Sequence, residues 1–238
     1  MRNVHHWGLI GLFVLLVVGF WAGETVAESG TLAGTITYAG EAPAVKELRI
    51  SKDQQVCGKD PHFEETLILS GDKEVKNVVV SITNISEGDL GSLGTDFSLD
   101  QNGCIFSPHV QLLPVGVPIK IYNNDGILHN VHTQSEKNRA FNVAQPKFRK
   151  KVVKKFDAAE RIRVKCDVHG WMQAFIVVID HPFHAITGES GGYVIQGIPA
   201  GKYEIEFWHE TLGNQVKEVE VAAGTETKLD LVYQADEK

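Results

Sequence analysis

Apart from one apolar run near the N-terminus, apolar and polar positions alternate along this chain in short stretches separated by turn residues. Residues 31–38 (TLAGTITY) alternate and end in a Gly-Glu-Ala-Pro turn, and the β-branched stretch 75–83 (VKNVVVSIT) lies between Gly-Asp and Ser-Glu-Gly. Short apolar or alternating runs follow at 119–122, 161–165 and 175–179, then at 192–196, 203–208, 216–221 and 227–232. Period-two patterning with β-branched and aromatic residues between Gly- and Pro-containing turns predicts strands. No segment beyond the N-terminal run carries an apolar stripe at helical spacing. Many short strands at regular turn spacing predict an all-β chain of sandwiches or barrels.

The N-terminal run, 7–23, follows Arg2 and precedes Glu-Thr-Val-Ala-Glu. Small residues at Thr25 and Ala27 fit a signal-peptidase site, with cleavage after Ala27. The run is slightly long for a signal core and slightly short for a spanning helix, so an uncleaved membrane anchor is the alternative. On either reading the remainder is exported, to the periplasm or another extracytoplasmic space. No cysteine follows the run, which excludes lipid attachment there.

Composition alters this picture in two places. A formal net charge of −7 over 238 residues argues against a nucleic-acid partner, which would want a basic surface. The cysteines, Cys57, Cys104 and Cys166, number three. An odd count in an oxidising compartment leaves one sulfur needing its own explanation, and one disulfide plus one metal-bound thiolate is the simplest division.

The chemistry sits in the middle of the chain. Asn123-Asn124-Asp125-Gly126-Ile127-Leu128-His129-Asn130-Val131 follows a predicted strand, and Cys166-Asp167-Val168-His169-Gly170-Trp171-Met172 lies between two others. One upstream histidine and a tight Cys-x2-His-x2-Met loop supply two imidazoles, a thiolate and a thioether, the donor set of a blue-copper site. Zinc would accept the Cys-His-His part, but a thioether ligand would be unusual for it. Met172 is the one methionine besides Met1. These motifs, with Phe-Ser-Pro before a strand, Val115-Gly116 at a turn and Phe-Asn-Val-Ala ahead of the loop, resemble the plastocyanin–amicyanin family of cupredoxins. The resemblance implies one mononuclear copper held by His129, Cys166, His169 and Met172, with Asn130 hydrogen-bonding across the site to hold the loops. It also implies that the loop histidine, His169, lies at the surface as the electron exit, with Trp171 and Gly170 in a docking patch. With Cys166 a ligand, Cys57 and Cys104 are left to pair with each other, two free buried thiols being the alternative.

A second resemblance concerns the C-terminal third. Thr187-Gly-Glu-Ser-Gly-Gly-Tyr-Val-Ile-Gln-Gly-Ile-Pro-Ala-Gly-Lys-Tyr-Glu-Ile is similar to a hairpin, Pro-Gly turn and Tyr-bearing strand of the carboxypeptidase regulatory-like, transthyretin-like sandwich. Such a fold needs earlier strands, and those at 31–38 and 77–82 suit the part. The expected organisation is a discontinuous sandwich, 30–95 plus 183–235, with a cupredoxin domain at 98–181 inserted in it. Three consecutive small β units are the alternative.

Other candidates carry less. His109 and His132 would extend the metal chemistry as extra ligands, but read more simply as surface or hydrogen-bonded histidines. The same applies to His181, His184 and the His209-Glu210 pair. The basic run 147–155 (KFRKKVVKK) suits either an acidic redox partner or anionic lipid, or is a solvated hairpin with 152–153 facing in. The function expected is single-electron transfer between transient redox protein partners, without catalysis. Copper binding or delivery, and small-molecule redox activity at the copper, are the alternatives. Membrane contact is expected only through a retained N-terminal helix.

Overall fold

The computed structural model describes residues 29–235. The apolar run of 7–23 and the cleavage point after Ala27 lie outside the described residues. Among the described residues no helix is long and apolar enough to cross a membrane. The described residues are all-β in class and form four sheets.

Two sheets enclose one core. In the first, β1 (Ser29–Ala39) pairs antiparallel with β13 (Gly192–Pro199) and parallel with β16 (Glu226–Lys228) and β17 (Leu231–Gln234). The second runs β12 (His184–Ile186), β2 (Val79–Ile82), β14 (Gly201–His209) and β15 (Gly213–Val221). Alternation does the sorting: Tyr203, Ile205 and Phe207 of β14 turn inward, while Lys202 and Glu204 are exposed. They meet Leu32, Ile36, Leu231 and Tyr233 from the facing sheet. Gly34 is required in β1, because a Cβ there would lie 2.0 Å from the Leu229 carbonyl oxygen of the chain crossing beside it. We call this the outer sandwich.

The other two sheets enclose a second core. One runs β5 (Val110–Pro114), β11 (Gln173–Ile179), β10 (Glu160–Lys165), β7 (His129–Gln134) and β8 (Asn142–Gln145). Its partner runs β4 (Ile105–Ser107), β3 (Phe97–Asn102), β6 (Ile119–Asn123) and β9 (Lys151–Lys154). Ile162 and Val164 of β10 face Leu99, Ile119 and Ile121 across this inner sandwich. In the basic hairpin only Val152 turns inward; Val153, expected beside it, is 53% exposed, as the period of two in β9 demands.

The two sandwiches meet through Val79, Val110, Val177 and Ile179, with Phe175 packed edge-on against Trp208 at 5.1 Å between ring centroids. A longer connection joins them on another side. Between β1 and β2 the chain leaves the outer sandwich and lays a short helical turn (α1, Gln54–Cys57) on the inner one, where Cys57 is bonded to Cys104. The predicted strand at 75–83 is thus shorter than its pattern, because Val75 is taken by a bridge to Leu69 within this covering segment.

Candidate metal centre

Three donors converge where the covering segment meets the inner sandwich. His129 stands at the first position of β7, and Cys166 and His169 lie in the turn between β10 and β11. That turn is closed by backbone hydrogen bonds from Cys166 N–H to the Met172 carbonyl (3.2 Å) and from Met172 N–H to the His169 carbonyl (3.0 Å). Cys166 Sγ is 3.9 Å from Nδ1 of both His129 and His169, and the two Nδ1 atoms are 2.9 Å apart. Met172 lies at the end of the same turn and is buried in the same core.

Both imidazoles are oriented by carboxylates. His129 Nε2 donates to Asp125 Oδ2 and His169 Nε2 to Asp53 Oδ2, each at 2.8 Å. A carboxylate on the outer nitrogen keeps the N–H there and turns the Nδ1 lone pair inward. Asp125 is itself held by the backbone N–H groups of Gly103 (2.6 Å) and Cys104 (2.9 Å). Asn130 ties the loop down. Its Oδ1 accepts from the N–H groups of Asp167 (2.8 Å) and Val168 (3.2 Å) and lies 3.3 Å from Cys166 Sγ.

The electrostatics favour a cation among these donors. Burial disfavours charge on His129, yet the Asp125 hydrogen bond and the neighbouring Cys166 sulfur push its pKa up to about 9. Burial alone would raise the Cys166 thiol, but His129 and hydrogen bonds around the loop outweigh it and hold it below its ordinary value. Burial lowers His169 despite the pull of Asp53. A thiolate beside two inward lone pairs needs a positive charge, whether proton or metal.

A metal fits on two counts. Nitrogen and sulfur donors that share an ion at about 2.0–2.3 Å stand no more than about 4.4 Å apart, and all three separations are within that. The set of two imidazoles, a thiolate and a nearby thioether is the one that suits copper. A second grouping, Cys104 with Asp125 and His129, is no alternative, because the Cys104 sulfur is in the disulfide.

At the centre the structure changes what the sequence led us to expect of His169 and Trp171. His169, expected at the surface as the electron exit, is 0% exposed. Asp53 and the covering segment lie over it, held down by the disulfide and by Trp171, whose Nε1 donates to the Cys104 carbonyl at 3.0 Å. Trp171 is thereby packed against this segment. Of the two extra histidines, His132 is bound to Asp167 at 2.9 Å on a partly exposed face, while His109 is buried but is not among the three converging donors. Two carboxylates escaped the sequence reading. Asp125, four residues before His129 in an Asn-Asn-Asp-Gly turn, carried a local signal; Asp53, remote in sequence from everything it serves, carried none.

No protein-family model matches the chain and no curated protein matches it, so the carboxypeptidase regulatory-like resemblance gains no support there. Among solved structures the neighbours include cupredoxins and a copper enzyme. A purple cupredoxin from Nitrosopumilus maritimus matches at 18% identity and TM-score 0.31, over 35% of this chain and all of that one. A point mutant of amicyanin in its Cu(I) form matches at 16% and 0.33, over 42% of this chain and 98% of its own. A copper-containing nitrite reductase from Thermus scotoductus SA-01 matches at 16% and 0.32, over 42% of this chain and 25% of its own. These likenesses are partial, and the chemistry of the centre follows from its own side chains.

Proposed function

We propose that this chain is an exported blue-copper protein that carries single electrons, whose metal would be held by His129 Nδ1, Cys166 Sγ and His169 Nδ1, with the Met172 thioether as a weaker fourth donor. The observation that carries this reading is the convergence of the three donors, each turned inward by its own partner. Bound copper supplies a one-electron couple. The chain's residues do the rest: Asp125 and Asp53 fix the imidazole tautomers, Asn130 holds the sulfur and the loop, and burial excludes water. Donors held this firmly shift little when the metal's charge changes, which favours fast electron exchange over catalysis. The disulfide suits an oxidising, extracytoplasmic compartment.

With His169 covered, contact with a redox partner falls elsewhere on the same end of the inner sandwich. Gln145, paired with His129 across β7 and β8, leads directly into the basic hairpin tip, where Phe148 is 87% exposed, and Leu128 beside His129 is 45% exposed. An acidic, transiently bound redox protein is the partner this surface suits. The burial of the centre favours a second reading, copper sequestration or delivery, in which the cover slows metal exchange.

The test is an absorption and electron spin resonance spectrum of the protein reconstituted with Cu(II), beside a Cys166→Ser variant. An intense visible thiolate-to-copper band, absent in the variant, is expected; a protein that binds copper without that band overturns the electron-carrier reading. Repeated reduction and reoxidation without metal loss separates carriage from delivery.

A further inference from the structure

A cavity of about 530 Å³ opens between the covering segment and the inner sandwich, and its wall includes Arg49, Glu65, His109, Trp171, Met172 and Gln173. His109 reaches it from the turn between β4 and β5 with a side chain only 5% exposed. Its Nε2 contacts the carboxylate of Glu210, which is 8% exposed and held on its other oxygen by Gln173 Nε2 at 3.1 Å. This repeats what Asp125 does for His129 and Asp53 for His169: a carboxylate takes the N–H of one ring nitrogen and leaves the lone pair on the other.

At the first centre those lone pairs converge. At His109 the corresponding atom, Nδ1, is buried without any hydrogen-bond partner among the described residues. Buried polar atoms are almost always paired, and an exception asks for an explanation. The nearest charged group is Glu65 Oε2, 3.7 Å away. That is too long for a hydrogen bond and short enough for two donors sharing one ion, each about 2.0–2.2 Å from it. Imidazole with carboxylate suits a borderline divalent ion, and the cavity leaves room for waters to complete its shell.

We propose that His109 Nδ1 and Glu65 hold a second cation, of the Zn(II) or Cu(II) class, oriented by Glu210 and separate from the Cys166 centre. The proposal does not depend on the electron-carrier reading. Met172 and His109 nevertheless line the same cavity, and Gln173, next to Met172 in the chain, holds Glu210.

The test uses the full chain, loaded with one equivalent of Cu(II) and then titrated with Zn(II) in a calorimeter. One further equivalent is expected to bind, with affinity at least tenfold lower in His109→Gln and in Glu65→Gln and with the visible band of the first centre retained. Replacing buried His109 puts the fold at risk, whereas Glu65, with its side chain 36% exposed, can be changed without emptying a core position. If the first centre gives no thiolate band, Zn(II) titration of the metal-free protein still reports a step that His109→Gln removes, because that variant leaves His129, Cys166 and His169 in place. No further equivalent, or one whose affinity neither variant changes, overturns the proposal and leaves His109 as a buried side chain held by Glu210 alone.

Discussion

The two sandwiches bury histidines in opposite ways. In the inner one, His129 and His169 each give their outer nitrogen to a carboxylate and turn the other toward Cys166. In the outer one, His209 accepts backbone N–H groups from Thr211 and Leu212 at 3.3 Å, and His184 Nδ1 meets the Ser81 hydroxyl at 2.8 Å. Burial pushes His209 down to about 4 and, with neighbouring His181, pushes His184 down to about 3. A histidine among neutral partners is a neutral core residue; one with a carboxylate behind it is poised to hold a cation. Burial alone does not separate the two.

The largest test of this division removes one core and watches the other. Phe207 is fully buried in the outer sandwich, and Phe207→Ala is expected to cost about 3–5 kcal/mol. The outer sandwich should then unfold at lower denaturant while the copper band persists to its original midpoint. A single transition carrying both signals would show that the contact through Val79, Val177 and Phe175 binds the two into one cooperative unit.

Next in size is the disulfide. Cys57 and Cys104 are 47 residues apart, and replacing both with Ser is expected to cost about 2–4 kcal/mol. The covering segment should also loosen, seen as faster hydrogen exchange around 48–63 and readier removal of copper by a chelator. Unchanged metal exchange would mean that Asp53 and Trp171 hold the cover by themselves.

How much of this was legible in the sequence follows from the range of the signals. Strict alternation, as in 203–208, sorts its own faces and needs nothing remote. The Cys-x2-His-x2-Met turn is equally local, and Asn130 follows its histidine directly. What was not legible depends on segments brought together from afar. The covering segment has little alternation and few apolar residues, so nothing in it announces that Asp53 will lie on His169, 116 residues away. The buried state of His169 is invisible for the same reason. His109 belongs to this class as well: its partners Glu65 and Glu210 come from the covering segment and the outer sandwich.

Acidification should separate the sandwiches more gently. His184 and His209 have folded values below the ordinary 6.5 of histidine, so the unfolded chain binds more protons than the folded one between the two values. Their contribution is fully present above about pH 6.5 and is lost as the pH falls toward about 4 and then about 3. His209 alone is expected to take about 2 kcal/mol from the outer-sandwich transition between about pH 7 and pH 4.5, and His209→Gln should flatten the slope accordingly. A slope unchanged by that substitution would place the acid sensitivity elsewhere.

The smallest expected effect compares the two carboxylates of the centre with each other. Asp125 is 4% exposed at its side chain and fixed by two backbone N–H groups; Asp53 is 40% exposed and comes from the covering segment. Each holds the tautomer of its histidine, and loss of such a partner costs roughly 10- to 100-fold in metal affinity. Asp125→Asn is expected near the upper end, because a buried charge in low dielectric acts strongly on its neighbour. Asp53→Asn is expected near the lower end, about tenfold, because water screens its exposed side and can take over the Nε2 hydrogen bond. Competition for Cu(II) against a chelator of known strength reads both. Equal losses would mean that the cover excludes water from Asp53 as fully as the core does from Asp125, and that the segment laid over His169 is as much a part of the centre as the sandwich beneath it.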